Sequence, residues 1–159
     1  MLGVPASPSS KTDLRTQTAS GIKGVDKVYD GTTSATLDNS ASLLSGVLSG
    51  DSVGLVASGA FDDKNAGTGK HVGVSLALSG DASSNYKLSS STLSTTASIT
   101  PRAITQVTGV TAKDKVYDGT TTAKFSMSKP VFDTLVAGDD LSLATSGATF
   151  ANANAGVGK

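Results

Sequence analysis

Two identical heptads hold the side chains of this chain best suited to chemistry. They are Lys27-Val28-Tyr29-Asp30-Gly31-Thr32-Thr33 and Lys115-Val116-Tyr117-Asp118-Gly119-Thr120-Thr121, displaced by 117 − 29 = 88 residues. An aromatic ring beside a carboxylate could receive a sugar. Tyr29 and Tyr117 would then be the platforms, and Asp30 and Asp118 would accept hydroxyl hydrogen bonds. Turn chemistry explains the same letters. Asp-Gly supplies the positive φ of a tight reversal, and Asp readily caps its own turn. The string therefore predicts a hairpin with Asp30-Gly31 and Asp118-Gly119 as structural turns, and Thr33 to Leu37 returning antiparallel.

The remaining candidates are weaker. Asp62-Asp63-Lys64-Asn65, with Asp51 or Asp81, could offer oxygens to calcium, but the spacing is not that of an EF-hand loop. The second copy carries Ala151-Asn152-Ala153 in place of Asp62-Asp63-Lys64, so a metal required by the repeat would lose its acids there. No metal site is expected. His71 is the only histidine and cysteine is absent, which leaves zinc or a Ser-His-Asp arrangement little to draw on. Gly67-Thr68-Gly69-Lys70 lacks the earlier glycine and the following Ser or Thr of a phosphate loop. No carboxylate pair stands out as the acid and base of a glycosidase. A cross-link from Lys27 or Lys70 to Asn65 or Asn85 is conceivable, yet spacing selects no pair. The expectation is a non-enzymatic protein without a cofactor.

The elements that carry these residues are strands. All thirteen acidic residues are Asp, Ser and Thr together number 24 + 20 = 44, and glycine adds 18. Such residues favour caps, turns and strands over helix. Formal net charge is zero, which excludes an electrostatic grip on nucleic acid or anionic lipid. No apolar run approaches the roughly 20 residues of a membrane helix. Val53-Leu55-Ala57 and Val72-Val74-Leu76-Leu78 alternate as half-buried strands do, and Tyr86-Lys87-Leu88 and Leu93 to Ile99 complete a unit. Around Leu43-Leu44-Ser45-Gly46-Val47-Leu48, apolar spacing suits a single helical turn or a loop that plugs the core, since Gly46 and Gly50 cut any helix short.

Residues 1–14 read as a flexible lead-in, 15–100 as a first unit, 101–103 as a short Pro linker and 104–159 as a second unit. Gly138-Asp139 repeats Gly50-Asp51, and Phe150 with Asn154-Ala155-Gly156 repeats Phe61 with Asn65-Ala66-Gly67. Compared with residues 70–100, the second unit is expected to be truncated at its C-terminal end.

Taken together, the two heptads, Ser49-Gly50-Asp51, Phe61 to Lys70, Leu78-Ser79-Gly80, Asn85-Tyr86-Lys87-Leu88 and Ile99-Thr100-Pro101-Arg102 resemble the YDG repeat family of bacterial filamentous-haemagglutinin-like surface adhesins. The resemblance covers residues 20–159. It implies a mainly-β fold of tandem small β-grasp-like modules, with an Ig-like β-sandwich as the alternative. It also implies an extracellular or cell-surface setting, and a structural stalk role beside neighbouring repeats of the same chain. Adhesion to host or matrix glycan or mucin is the alternative role.

Overall fold

A computed structural model describes residues 14–159. Apart from Leu14, the expected lead-in lies outside them. The chain splits into two compact units, the first closing at Pro101 and the second spanning Arg102–Lys159. Both are built of strands; among the described residues the only helical element is a 3-10 turn at Ser83–Asn85. The mainly-β class expected from composition holds.

The first unit contains β1 (Arg15–Ser20), β2 (Lys23–Gly24), β3 (Lys27–Val28), β4 (Ser34–Ala35), β5 (Leu37–Asp38), β6 (Leu43–Ser45), β7 (Gly54–Phe61), β8 (Gly67–Ser79), β9 (Tyr86–Leu88) and β10 (Thr92–Thr100). Alternation decides which faces turn inward. Leu55, Ala57, Gly59 and Phe61 of β7 stand opposite Leu78, Leu76, Val74 and Val72 of β8 in an antiparallel ladder. β10 pairs antiparallel with the other side of β8. The shared face buries Phe61, Val72, Val74, Leu76, Ala97 and Ile99 as one cluster. Each fully buried branched side chain there contributes about 1.5–3 kcal/mol from removal of apolar surface.

The stretch before Asp30 is broken into β1, β2 and β3, and each piece takes a different neighbour. β1 pairs parallel with β9 and antiparallel with β6, turning Ala19 and Gln17 inward. β2 pairs antiparallel with β5, β3 parallel with β10, and β4 antiparallel with β7. Because β2 runs on into β3 and β4 into β5, these ladders form a closed ring around the core.

Two expectations change. The Leu43–Leu48 stretch forms β6 and turns, while the helical turn sits at Ser83–Asn85. Tyr29-Asp30-Gly31 is not a tight hairpin between directly paired strands. Its arms β3 and β4 lie against β10 and β7, and they pair with each other only further out, through β2 and β5 and a Val25 N–H to Thr36 carbonyl bond of 3.0 Å. Two-residue turn chemistry could not reveal this, because the arms satisfy their backbone groups with distant strands.

The second unit contains β11 (Val107–Lys113), β12 (Thr122–Phe132) and β13 (Ala148–Thr149). Its ladders keep the registers of the corresponding ladders in the first unit. Gly24 opposite Leu37 corresponds to Ala112 opposite Phe125, and Ser34 opposite Ala60 to Thr122 opposite Thr149.

Candidate functional site

Each heptad folds around its own lysine. Lys27 Nζ donates to Asp30 Oδ1 at 2.8 Å, the Thr32 carbonyl at 2.9 Å, Thr32 Oγ1 at 3.1 Å and the Ser34 carbonyl at 3.0 Å. The ammonium also stands 5.6 Å from the centre of the Phe61 ring, near enough for cation–π attraction. Asp30 closes the loop from the other side. Its Oδ1 accepts the Thr32 N–H and the Thr32 hydroxyl, both at 2.9 Å. This is the expected Asx bond, with Gly31 at φ 78° completing the reversal.

The second unit repeats the cage. Lys115 Nζ reaches Asp118 Oδ1 and the Thr120 carbonyl at 2.7 Å and Thr120 Oγ1 at 3.0 Å, and lies 5.8 Å from the Phe150 ring centre. The Asx bond recurs at 2.9 Å, with Gly119 at φ 75°. The lysine bond, joined by the Thr32 backbone and hydroxyl bonds, holds the Asp30 carboxyl down to about 2 from its usual 3.8. Asp118 is lowered to about 2 by the same groups in its own loop.

The candidate sugar platforms fall in different surroundings. Tyr29 is half-buried, packs against the core and donates its backbone N–H to the Thr100 carbonyl at 2.9 Å. Tyr117 is 66 % exposed. The carboxylates of Asp30 and Asp118 are each engaged by a lysine and a threonine.

A second lysine-centred loop follows Phe61. Asp63 Oδ1 accepts Lys70 Nζ at 2.5 Å and the Asn65 N–H at 2.8 Å, and both bonds hold its pKa down, the lysine foremost. In the second unit Asn152 Oδ1 accepts Lys159 Nζ, and the Asn154 N–H at 3.1 Å. An amide oxygen replaces the carboxylate without changing the pattern, which explains how this repeat loses its acids yet keeps its loop. Asp62 instead faces the His71 ring nitrogen at 2.9 Å on an exposed surface. Asp51 lies apart, accepting the buried Tyr86 hydroxyl at 2.5 Å; that bond pushes the phenol pKa up. The Tyr86 oxygen accepts the Leu48 N–H at 3.1 Å, so the Ser-Gly-Asp and Asn-Tyr-Lys-Leu motifs form one clamp. Three of the acids proposed for calcium, Asp51, Asp62 and Asp63, are thus each engaged in a separate contact. Lys27 and Lys70 bond to Asp30 and Asp63 rather than to Asn65 or Asn85.

Sequence reasoning passed over the lysines and phenylalanines as loop organisers. The available signal was their recurrence, with Lys two residues before each Tyr and Phe closing the strand behind each loop.

The recurrence of cage, ladders and second loop defines one structural unit built twice. A family model described as YDG domain matches residues 13–95 and 100–159. The chain belongs to the YDG domain family. A search of curated proteins and a search of solved structures returned no match. In this YDG chain the heptad is therefore a loop lock, with Tyr29 wedged against the core and Tyr117 outside it. No helix among the described residues is long and apolar enough to cross a membrane.

Proposed function

We propose that this YDG chain is a structural, non-enzymatic stalk module of a large bacterial cell-surface or secreted adhesin of the filamentous-haemagglutinin-like kind. Its repeats would carry a distal binding region away from the cell. The observation that carries this reading is the duplicated lysine cage. Its most reactive side chains, Lys27, Asp30 and Thr32, are spent on holding one loop, and the second copy spends Lys115, Asp118 and Thr120 identically. Closed ladders, polar uncharged faces and stability drawn from packing suit a spacer exported without disulfides.

The full chain, placed between reference domains, should give a discrete unfolding event of the first unit in single-molecule pulling. A smooth extension with no such event would remove the stalk role.

A second reading, a glycan- or mucin-binding module, draws on Tyr117, which is exposed beside Lys115 in a cleft of about 520 Å³. A glycan array on the full chain separates the two. Saturable binding lost in Tyr117→Ala with the fold intact would favour adhesion over support.

A further inference from the structure

The opening and closing segments of the first unit run side by side in the same direction. β1 pairs parallel with β9 from Arg15 opposite Tyr86 to Gln17 opposite Leu88, and β3 pairs parallel with β10 at Lys27 opposite Ile99 and Val28 opposite Thr100. The displacements are 86 − 15 = 71 and 99 − 27 = 72, so residues 15–29 follow 86–100 in nearly one register. Single bonds fill the gap between the two ladders. The Ser89 N–H donates to the Gln17 carbonyl at 2.7 Å, the Gly24 N–H to Thr95 Oγ1 at 3.3 Å and the Ser98 N–H to Asp26 Oδ1 at 2.6 Å. The Tyr29 N–H ends the series on the Thr100 carbonyl at 2.9 Å. Ser98 falls where the register between β10 and β8 shifts, and Asp26 takes its N–H.

The direction of these ladders decides how they meet tension. A pull along the chain enters the first unit at the start of β1 and leaves it at the end of β10. In parallel segments those are opposite ends, so the pull slides one segment along the other. Bonds in a parallel ladder are evenly spaced, and they are then strained together. Antiparallel end segments would instead open from one end, a bond at a time. Little slack follows. Only Pro101 and Arg102 separate Thr100 from Ala103, whose carbonyl accepts the Thr134 hydroxyl at 2.5 Å, and the Thr105 N–H reaches Asp133 Oδ1 at 3.1 Å. Tension leaving β10 thus passes almost directly to residues already held within the second unit.

We propose that residues 15–29 and 86–100 form a shear lock that sets how much tension the first unit bears. The inference rests on the stalk reading and gives it a place in the fold. Asp26 bridges the two segments near the end where β10 finishes. It carries load when the segments are sheared, and none at the onset of opening from the β1 end.

The chain has no cysteine, so a pair introduced into the full chain gives unique attachment points for single-molecule pulling. Leu14→Cys with Arg102→Cys loads the segments in shear. Leu14→Cys with Ser84→Cys pulls them apart from their common end. All three positions are exposed. The shear pair should unfold the first unit at about twice the force of the opening pair or more, because forced unfolding follows the barrier along the pulled direction rather than the equilibrium stability. Asp26→Ala should lower the force in the shear pair and leave it unchanged in the opening pair. Equal forces in the two directions, or an equal fall in both with Asp26→Ala, would overturn the lock while a discrete event upholds the stalk reading. Smooth extension in both directions would remove the lock and the stalk reading together.

Discussion

Replacing Lys27 by Met keeps most of the aliphatic stem and removes the ammonium. The Lys27 side chain is 16 % exposed, so water can only partly substitute for what is lost. The Thr32 and Ser34 carbonyls each lose a hydrogen bond to a charged donor, a net cost of about 1 kcal/mol apiece after partial rehydration. Phe61 loses its cation, about 0.5–1 kcal/mol at a partly shielded site. The ion pair with Asp30 adds little, because that carboxylate is 46 % exposed and screened. The sum is about 2–3 kcal/mol, confined to the first unit. Urea titration of the full chain, followed by amide exchange of peptides from 20–38 and 92–101, reads that unit separately from the second. Both sets of amides should lose protection together, since β3 and β4 tie the loop to β10 and β7. A loss below about 0.5 kcal/mol would show that the Asx bond and glycine alone hold the loop, and would refute the cage as its organiser.

Acid should loosen both cages. Their carboxyl pKa is depressed from 3.8 to about 2 on folding, so the stabilisation is complete above about pH 4 and is lost as pH falls through 2. Amide exchange of 27–34 and 115–122 should rise over that window, and Asp30→Asn should flatten the response of the first loop alone. Asp63→Asn should leave the urea midpoint of the first unit unchanged, because Asn152 already makes the equivalent contacts, and the exposed ion pair it removes is of low worth. Gln17→Met should stabilise the first unit by about 1–2 kcal/mol. Both polar atoms of the Gln17 amide are buried without a partner, and its replacement ends that penalty. A calorimetric melt that shifts downward would show that the amide is satisfied.

The sequence by itself determined the class, the repeat and the local lock. Ser, Thr, Asp and Gly in place of good helix formers made the chain mainly β, and alternation at Val72, Val74 and Leu76 marked the central strand with its buried face. The cage is equally local. Lys, Asp, Gly and Thr lie within seven residues, and the same bonds close the loop in both units. Tertiary structure alone decided where the arms of that loop go. Whether Lys27 and Val28 pair with Ser34 or with Ile99, some 70 residues away, depends on a ring of ladders closing around Phe61 and Ile99, and no short-range pattern encodes that. The same holds for Tyr29, whose cover is β10, some 70 residues away, because burial is set by what covers a residue rather than by the residues beside it.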